Sequence, residues 1–263
     1  MSVTIDYSPE EMMTVSAARM LRNGAVCFVG IGLPSTAANL ARMTHAPDAV
    51  LVYESGPIGA KPPVLPLSIG DGNLAETADT VVSTPEIFRY WLQGGRIDVG
   101  FLGAAQLDRF ANINTTVVGP YERPKVRLPG AGGAPEISSS AKEVLIIVKQ
   151  SKRTLVEKLD FVTSVGFLTG GDSRERAGLL TKGPVAVITD LCILRPDTRT
   201  RELTVTSIHP GTNREAISAN TGWQVQFDEN CIETESPRPE ELKVLRDLKA
   251  RTAAAHGVQG EAA

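Results

Sequence analysis

The sequence predicts an α/β fold: an open, mostly parallel sheet flanked by helices, with some antiparallel pairing near the C-terminus. Three observations predict it. Short apolar runs alternate along the chain with segments that carry helix-start and helix-stop signals. The runs are apolar almost throughout instead of alternately, as strands covered on both faces are. Finally, 24 Gly and 17 Pro among 263 residues suit tight turns between short elements better than a helical bundle.

The elements follow in order. Ser8-Pro9-Glu10-Glu11 opens a helix, with Ser as N-cap, Pro at the first helical position and acids in the first turn. It is expected to run to Arg22 and stop at Asn23-Gly24. Residues 25–29 are a short buried strand, and Gly30-Ile31-Gly32 turns the chain into a helix that Pro34-Ser35 opens, with Ser35 as N-cap. Residues 49–53 form a second strand that delivers Glu54-Ser55-Gly56 at its carboxyl end, and a Pro- and Gly-rich loop spans 57–72. Thr84-Pro85-Glu86 starts a helix ending near Gly94-Gly95, and residues 98–103 are the next strand. Residues 142–149 and 185–190 are buried strands, while 191–194 and 203–206 flank a polar turn and predict a hairpin. Pro239 to about His256 is an amphipathic closing helix, and the tail from about 257 is expected to be disordered. With no repeat, low-complexity block or linker, one domain over 1–263 is the simplest organisation.

Composition narrows the function. Twenty-seven Lys and Arg against thirty Asp and Glu give a net charge of −3, scattered along the chain, so no basic face for nucleic acid or a membrane surface is expected. The three cysteines, Cys27, Cys192 and Cys231, are far apart and fit neither a disulfide framework nor a CxxC pair. Reduced thiols and a cytoplasmic location are expected, because the start carries no leader pattern and no stretch of about 18 apolar residues occurs. His45, His209 and His256 sit in no ligand spacing, which argues against a metal site, and no serine lies in a GxSxG elbow.

Four features remain that could carry chemistry. Glu54 ends an apolar strand, where open α/β sheets bind ligands, and the small Ser55 and Gly56 leave its carboxylate approachable; a salt bridge or a helix cap fits the same position. Gly130-Ala131-Gly132-Gly133 is dense enough in glycine to aim several N–H groups at one oxyanion or phosphate, or to be a flexible surface loop. The stretch from Gly103 to Thr116 mixes small residues with Gln106, Asn112 and Asn114, which suits contact with a substrate amide or carboxylate and equally suits side-chain caps on turns. Gly30 and Gly32 lack the third glycine of a dinucleotide fingerprint, yet their amides could line a ligand cleft.

Taken together, residues 53–60 (YESGPIGA), the 103–114 stretch and residues 128–134 (LPGAGGA) resemble the B subunit of family I coenzyme A transferases, in order and in spacing, over residues 8 to about 241. The Glu-Ser-Gly form is similar to the glutaconate CoA-transferase branch. Ile58-Gly59-Ala60-Lys61-Pro62 and residues 88–95 (FRYWLQGG) resemble the members of that branch that act on 3-oxoadipate in aromatic-compound catabolism. The resemblance implies that Glu54 is a covalent nucleophile passing through a glutamyl-CoA thioester, and that Gly130, Gly132 and Gly133 supply backbone donors to the tetrahedral oxyanion. It implies CoA thioesters and dicarboxylic acids as substrates, no permanently bound cofactor, and an A subunit of related fold in an A2B2 assembly or a multiple of it. Arg89, Lys61, Lys125 and Arg127 are candidates for holding a distal carboxylate, each with a structural reading beside it. Relatives that hydrolyse or decarboxylate CoA thioesters lack the glutamate; here Glu54 is present.

Overall fold

The computed structural model describes residues 6–257; the expectations for the first five residues and for the tail beyond 257 lie outside the described residues. The elements in chain order are helix α1 (Pro9–Ala18), β1 (Val26–Val29), α2 (Leu33–Met43), β2 (Val50–Val52), β3 (Pro57–Ile58), α3 (Gly72–Glu76), β4 (Thr80–Val81) and α4 (Thr84–Glu86). A π-helical turn, Ile87–Leu92, continues α4. Then come β5 (Val99–Leu102), β6 (Gln106–Leu107), β7 (Ile113–Asn114), β8 (Val117–Val118), β9 (Val126–Arg127), α5 (Ala134–Ser140), β10 (Glu143–Ile147) and α6 (Ser173–Arg176). The chain closes with β11 (Pro184–Ile188), β12 (Cys192–Pro196), β13 (Leu203–Ile208), α7 (Arg214–Ala219), β14 (Gln226–Glu233) and α8 (Pro239–Ala255).

Ten strands form one sheet in the order β14-β13-β12-β11-β10-β5-β1-β2-β3-β4. The five central strands, β11 to β2, are parallel, as their apolar runs predict. The predicted hairpin is present as β12 and β13, and β11 pairs antiparallel with β12. From β1 the chain moves outward to β2 and then returns to place β5 on the other side of β1. The strand order therefore reverses at β1, and such a reversal opens a crevice at the carboxyl ends of the strands.

Side chains alternate between the two faces with the period of two that extended backbone imposes. Cys27, Val29, Leu51, Tyr53, Leu145 and Ile147 join the core beneath α1, α2 and α8. Phe28, Val52, Leu102, Val144, Ile146 and Val148 join the core beneath the π-turn, α5 and the long 103–133 connection. Cys27 is fully buried, in keeping with a packing role, and burial pushes its thiol above the ordinary range.

Several local expectations shift. The first helix ends at Ala18 instead of Arg22, although Ser8 is the N-cap the sequence suggests and closes a capping box with Glu11. The cap of α2 is Gly32, at φ 85°, and not Ser35. Ser35 lies one turn inside the helix and faces inward, 3.3 Å from the Tyr53 hydroxyl. The 84–95 segment is π-helical over Ile87–Leu92: the Gln93 N–H donates to the Phe88 carbonyl at 2.9 Å and the Arg96 N–H to the Trp91 carbonyl at 2.9 Å, each five residues back. The long loop holds β3, and β14 is an element the composition gave no sign of.

Candidate active site

Glu54 follows β2 by two residues, at the carboxyl edge of the parallel strands. Tyr53 turns toward α2, where its buried hydroxyl also lies 3.4 Å from the Asn39 amide nitrogen; burial pushes the phenol up, partly offset by these hydrogen bonds. Alternation then sends Glu54 to the opposite face, the α5 side. A tight turn closes behind it, with the Gly56 N–H donating to the Tyr53 carbonyl at 3.0 Å. Gly56 has φ 119°, and a β-carbon there would lie 2.0 Å from the Val82 carbonyl oxygen, so only glycine fits the turn. The Ser55 hydroxyl donates to the Ile69 carbonyl and pins the 57–72 loop beside the site.

The chain reaches the same edge a second time. After β5 it runs through the β6–β7 and β8–β9 hairpins and enters α5, which heads back toward the start of β10. The N-terminus of α5 therefore lies at the edge that bears Glu54. Gly100 in β5 sets its height: a β-carbon there would meet Ile137 of α5 at 2.4 Å, so the bare backbone lets the helix sit close to the sheet. Gly133, the N-cap of α5, donates its N–H to Glu54 Oε2 at 3.3 Å. Gly132, at φ 49°, is beside it; a β-carbon on Gly132 would lie 3.8 Å from the same oxygen. Glu54 is half-buried, and among the described residues this single long hydrogen bond is its only one.

The other predicted residues divide. The Gly130 N–H donates to the Thr115 carbonyl at 2.9 Å, so it is occupied within the loop and is not a free oxyanion donor. The Gly30 N–H extends the β1–β5 ladder to the Phe101 carbonyl at 3.1 Å and is likewise not free to line a cleft. Gly32 caps α2, and among the described residues its N–H has no partner.

The two asparagines follow the structural alternative, and Gln106 is partly paired. Asn114 is completely buried; its amide donates to Gln106 Oε1 at 2.7 Å and the Val117 carbonyl at 2.6 Å, while its oxygen accepts from the N–H groups of Thr116 and Val117. Asn112 donates to Asp108 and to the Leu168 carbonyl, and accepts from the N–H groups of Gly166 and Leu168. Gln106 also donates to Asp160 at 3.2 Å. An asparagine has two donor hydrogens and two acceptor lone pairs, and all four are taken at both Asn112 and Asn114, which leaves them nothing to offer a ligand. They hold the loop that carries the chain to Gly133. Of the candidate cations, Lys61 pairs with Asp79 at 2.8 Å and Arg127 stacks 4.9 Å from the Tyr121 ring centre. Arg89 is exposed on the π-turn.

One contributor escaped the sequence reading. A β-carbon on Gly133 would lie 2.7 Å from Phe88 Cζ, so the Phe88 ring of the π-turn borders the Gly133–Glu54 contact. The sequence marked that segment as a helix and by the FRYWLQGG motif, and gave Phe88 itself no part in the site. Among the described residues, no three His, Cys, Asp or Glu side chains gather in a way that could hold a metal ion. No helix there is long and apolar enough to cross a membrane.

A carboxylate with unused lone pairs, next to a backbone N–H at a helix start, can attack an electrophilic carbonyl and have the resulting charge stabilised beside it. Comparison with known proteins agrees with that chemistry. The family model described as "Coenzyme A transferase" matches residues 10–220. The chain is 72% identical over 254 residues to the B subunit of the 3-oxoadipate CoA-transferase of Pseudomonas knackmussii, covering 97% of this chain and 98% of the relative. It is 34% identical to the B subunit of the glutaconate CoA-transferase of Acidaminococcus fermentans, over 92% of each chain. The crystal structure of the A. fermentans enzyme superposes with a TM-score of 0.88 at 31% identity, over 97% of this chain and 98% of that one. With most of its length matched by the family model and by relatives of high identity, the chain belongs to the coenzyme A transferase family and is an enzyme of CoA transfer.

Proposed function

We propose that the chain is the B subunit of a transferase that moves CoA from succinyl-CoA to 3-oxoadipate, with Glu54 as the covalent nucleophile. The placement of Glu54 carries the reading: a half-buried carboxylate at the carboxyl edge of the sheet, with the Gly133 N–H 3.3 Å from its Oε2 and no salt bridge among the described residues. The 72% identity to the B subunit of a 3-oxoadipate CoA-transferase supports the choice of substrate.

In the proposed sequence a Glu54 oxygen adds to the succinyl thioester carbonyl and forms a tetrahedral oxyanion. Its collapse expels CoA thiolate and leaves a mixed anhydride. The thiolate then attacks the Glu54 carbonyl, releasing succinate and forming a glutamyl-CoA thioester. The 3-oxoadipate carboxylate attacks that thioester, and returning CoA thiolate attacks the new anhydride at its acyl carbon. Glu54 is regenerated. A thioester is exchanged for a thioester, so the chemistry asks for no external energy source and no resident cofactor. The N–H of Gly133, with Gly132 adjacent, is the donor beside the carboxylate, and losing one such donor typically costs ~10²–10³ in rate.

The site is completed by a partner of the A type in an A2B2 assembly. Support comes from exposed apolar side chains around the Glu54 turn: Ile69, whose carbonyl holds Ser55, is joined by Leu67, by Val81 next to the residue against Gly56, and by Tyr90 on the π-turn. Apolar side chains gathered beside a site suit burial by a protein partner.

The test mixes the chain and its partner with succinyl-CoA, traps with hydroxylamine or borohydride, and locates the modification by mass spectrometry. Modification at Glu54 is expected; turnover of CoA with Glu54 unmodified refutes the mechanism. The 34% identity to the B subunit of a glutaconate CoA-transferase favours glutaconate as the competing acceptor. Steady-state rates with the two acids separate the readings, and a clear preference for glutaconate overturns the first.

A further inference from the structure

The π-turn Ile87–Leu92 packs on α5, the helix that starts at Gly133, and two side chains make the connection. Phe88 Cζ and Cε1 would lie 2.7 and 3.0 Å from a β-carbon on Gly133, while Glu54 Oε2 would lie 3.0 Å from the same point. The aromatic edge and the carboxylate thus occupy the same side of Gly133. Gln93, the residue after the turn, also donates to Glu136 in the first turn of α5 at 3.3 Å.

The turn is itself firmly seated. Ile87 and Leu92 are fully buried in the core and anchor it at both ends. Phe88 is only half-buried, and its ring leans on Phe28 of β1, with centroids 5.9 Å apart at 51°. The ring is therefore a strut: one side rests on a rigid parallel strand, and its edge abuts the backbone whose N–H faces Glu54. The register of Phe88 is set by the π geometry, because the extra residue in the turn rotates the side chain relative to an α-helix. Inserted single turns of this kind recur at functional sites, where they re-aim a side chain.

We propose that Phe88 is a positioning residue for CoA transfer: its ring fixes Gly133 so that the N–H stays directed at the oxygen that forms and breaks the acyl bond. The inference rests on the reading of Glu54 as nucleophile. Without the ring, Gly133 gains room to shift on the side that carries Glu54 and its N–H loses its aim, and a displacement of about 1 Å at a reacting centre can cost ~10²-fold in rate. Substrate binding, which draws on other contacts, changes little.

The experiment measures kcat and KM for succinyl-CoA, and the rate of trapping at Glu54, for the assembled two-subunit enzyme carrying Phe88→Ala, Phe88→Leu or Glu54→Gln. Phe88→Ala is expected to lower kcat and the trapping rate together by roughly 10- to 100-fold, with KM within about threefold. Phe88→Leu, which restores bulk, is expected to recover part of the loss, and it remains informative if the alanine variant does not fold. An unchanged kcat in both variants, a loss confined to KM, or a leucine variant no better than alanine overturns the proposal. Glu54→Gln separates the two failures. If it is inactive while both Phe88 variants keep full activity, only the positioning role falls. If it keeps exchanging CoA, the nucleophile reading falls, and the positioning role with it.

Discussion

The Glu54 turn and the Gln106–Asn114 loop have the same ingredients: polar side chains after a parallel strand, surrounded by small residues. They end in opposite states. Asn112 and Asn114 use every donor and acceptor they possess on the protein itself. Glu54 accepts one 3.3 Å hydrogen bond from Gly133 and is half-buried. Buried polar groups that are fully paired define a loop, whereas a partly paired group at an edge is available for chemistry. The same contrast runs through the glycine loop, where the Gly130 N–H is occupied by Thr115 and the Gly133 N–H faces the carboxylate.

The sharpest test of this contrast is Glu54→Gln in the assembled enzyme. CoA exchange is expected to fall by roughly 10⁴-fold or more, while the free energy of urea unfolding moves by no more than about 0.5 kcal/mol, since a half-buried group with one long bond contributes little to folding. A large stability loss would put Glu54 in the same class as the asparagines.

Gly133→Ala comes next. Its β-carbon would press on Phe88 at 2.7 Å and on Glu54 Oε2 at 3.0 Å. Activity is expected to drop about 10²-fold, and overpacking to destabilise by about 1–3 kcal/mol; chemical denaturation and initial rates read the two separately.

The inverse pattern is expected for Asn112→Ala. Removing the side chain strands the N–H groups of Gly166 and Leu168 and the Asp108 carboxylate. The variant should lose about 1–3 kcal/mol in urea unfolding and keep kcat/KM per folded molecule within a few-fold. A raised KM with intact stability would return Asn112 to the binding site and break the contrast.

The smallest effect lies outside both regions, where α8 rests on α1. Hydrogen bonding from Arg246 and the Ser8 backbone N–H holds Glu11 below the ordinary carboxylate range, and Lys249 with Lys149 does the same for Glu10. A carboxyl with a lowered folded pKa adds stability above its unfolded pKa of about 4.3, and that contribution disappears as pH falls through the folded values. Urea midpoints measured from pH 7 down to pH 3 should decline in that window, and Glu11→Gln should flatten part of the decline. The cations that face them are partly exposed to solvent, so the slope is modest.

The fold was legible because its signals are local. Ser8-Pro9-Glu10-Glu11 caps a helix through contacts within four residues, and the 144–148 run is apolar on both faces wherever it is placed. The candidate site was legible in part, since Glu54 and Gly133 stand out by type and by the motifs around them. Their meeting was not, for the two residues are 79 positions apart. The same limit explains the amides: Asn112 fits a ligand contact and a turn cap equally in sequence, and only residues 166–168, far along the chain, occupy its oxygen. The π-turn was missed because a change from four- to five-residue hydrogen bonding leaves the same capping and stop signals at its ends.

By itself the sequence determined the class of the sheet, the strands that form its parallel centre, and the carboxylate that ends one of them. Periodicity and capping act over a few residues, and a strand's apolar pattern fixes which residues its two faces bury. Only the tertiary structure decided which polar groups remain unpaired, because pairing depends on partners brought from far along the chain. It placed the N-terminus of α5 against the end of β2, left Glu54 with lone pairs to use, and set the Phe88 ring beside Glu54 against Gly133.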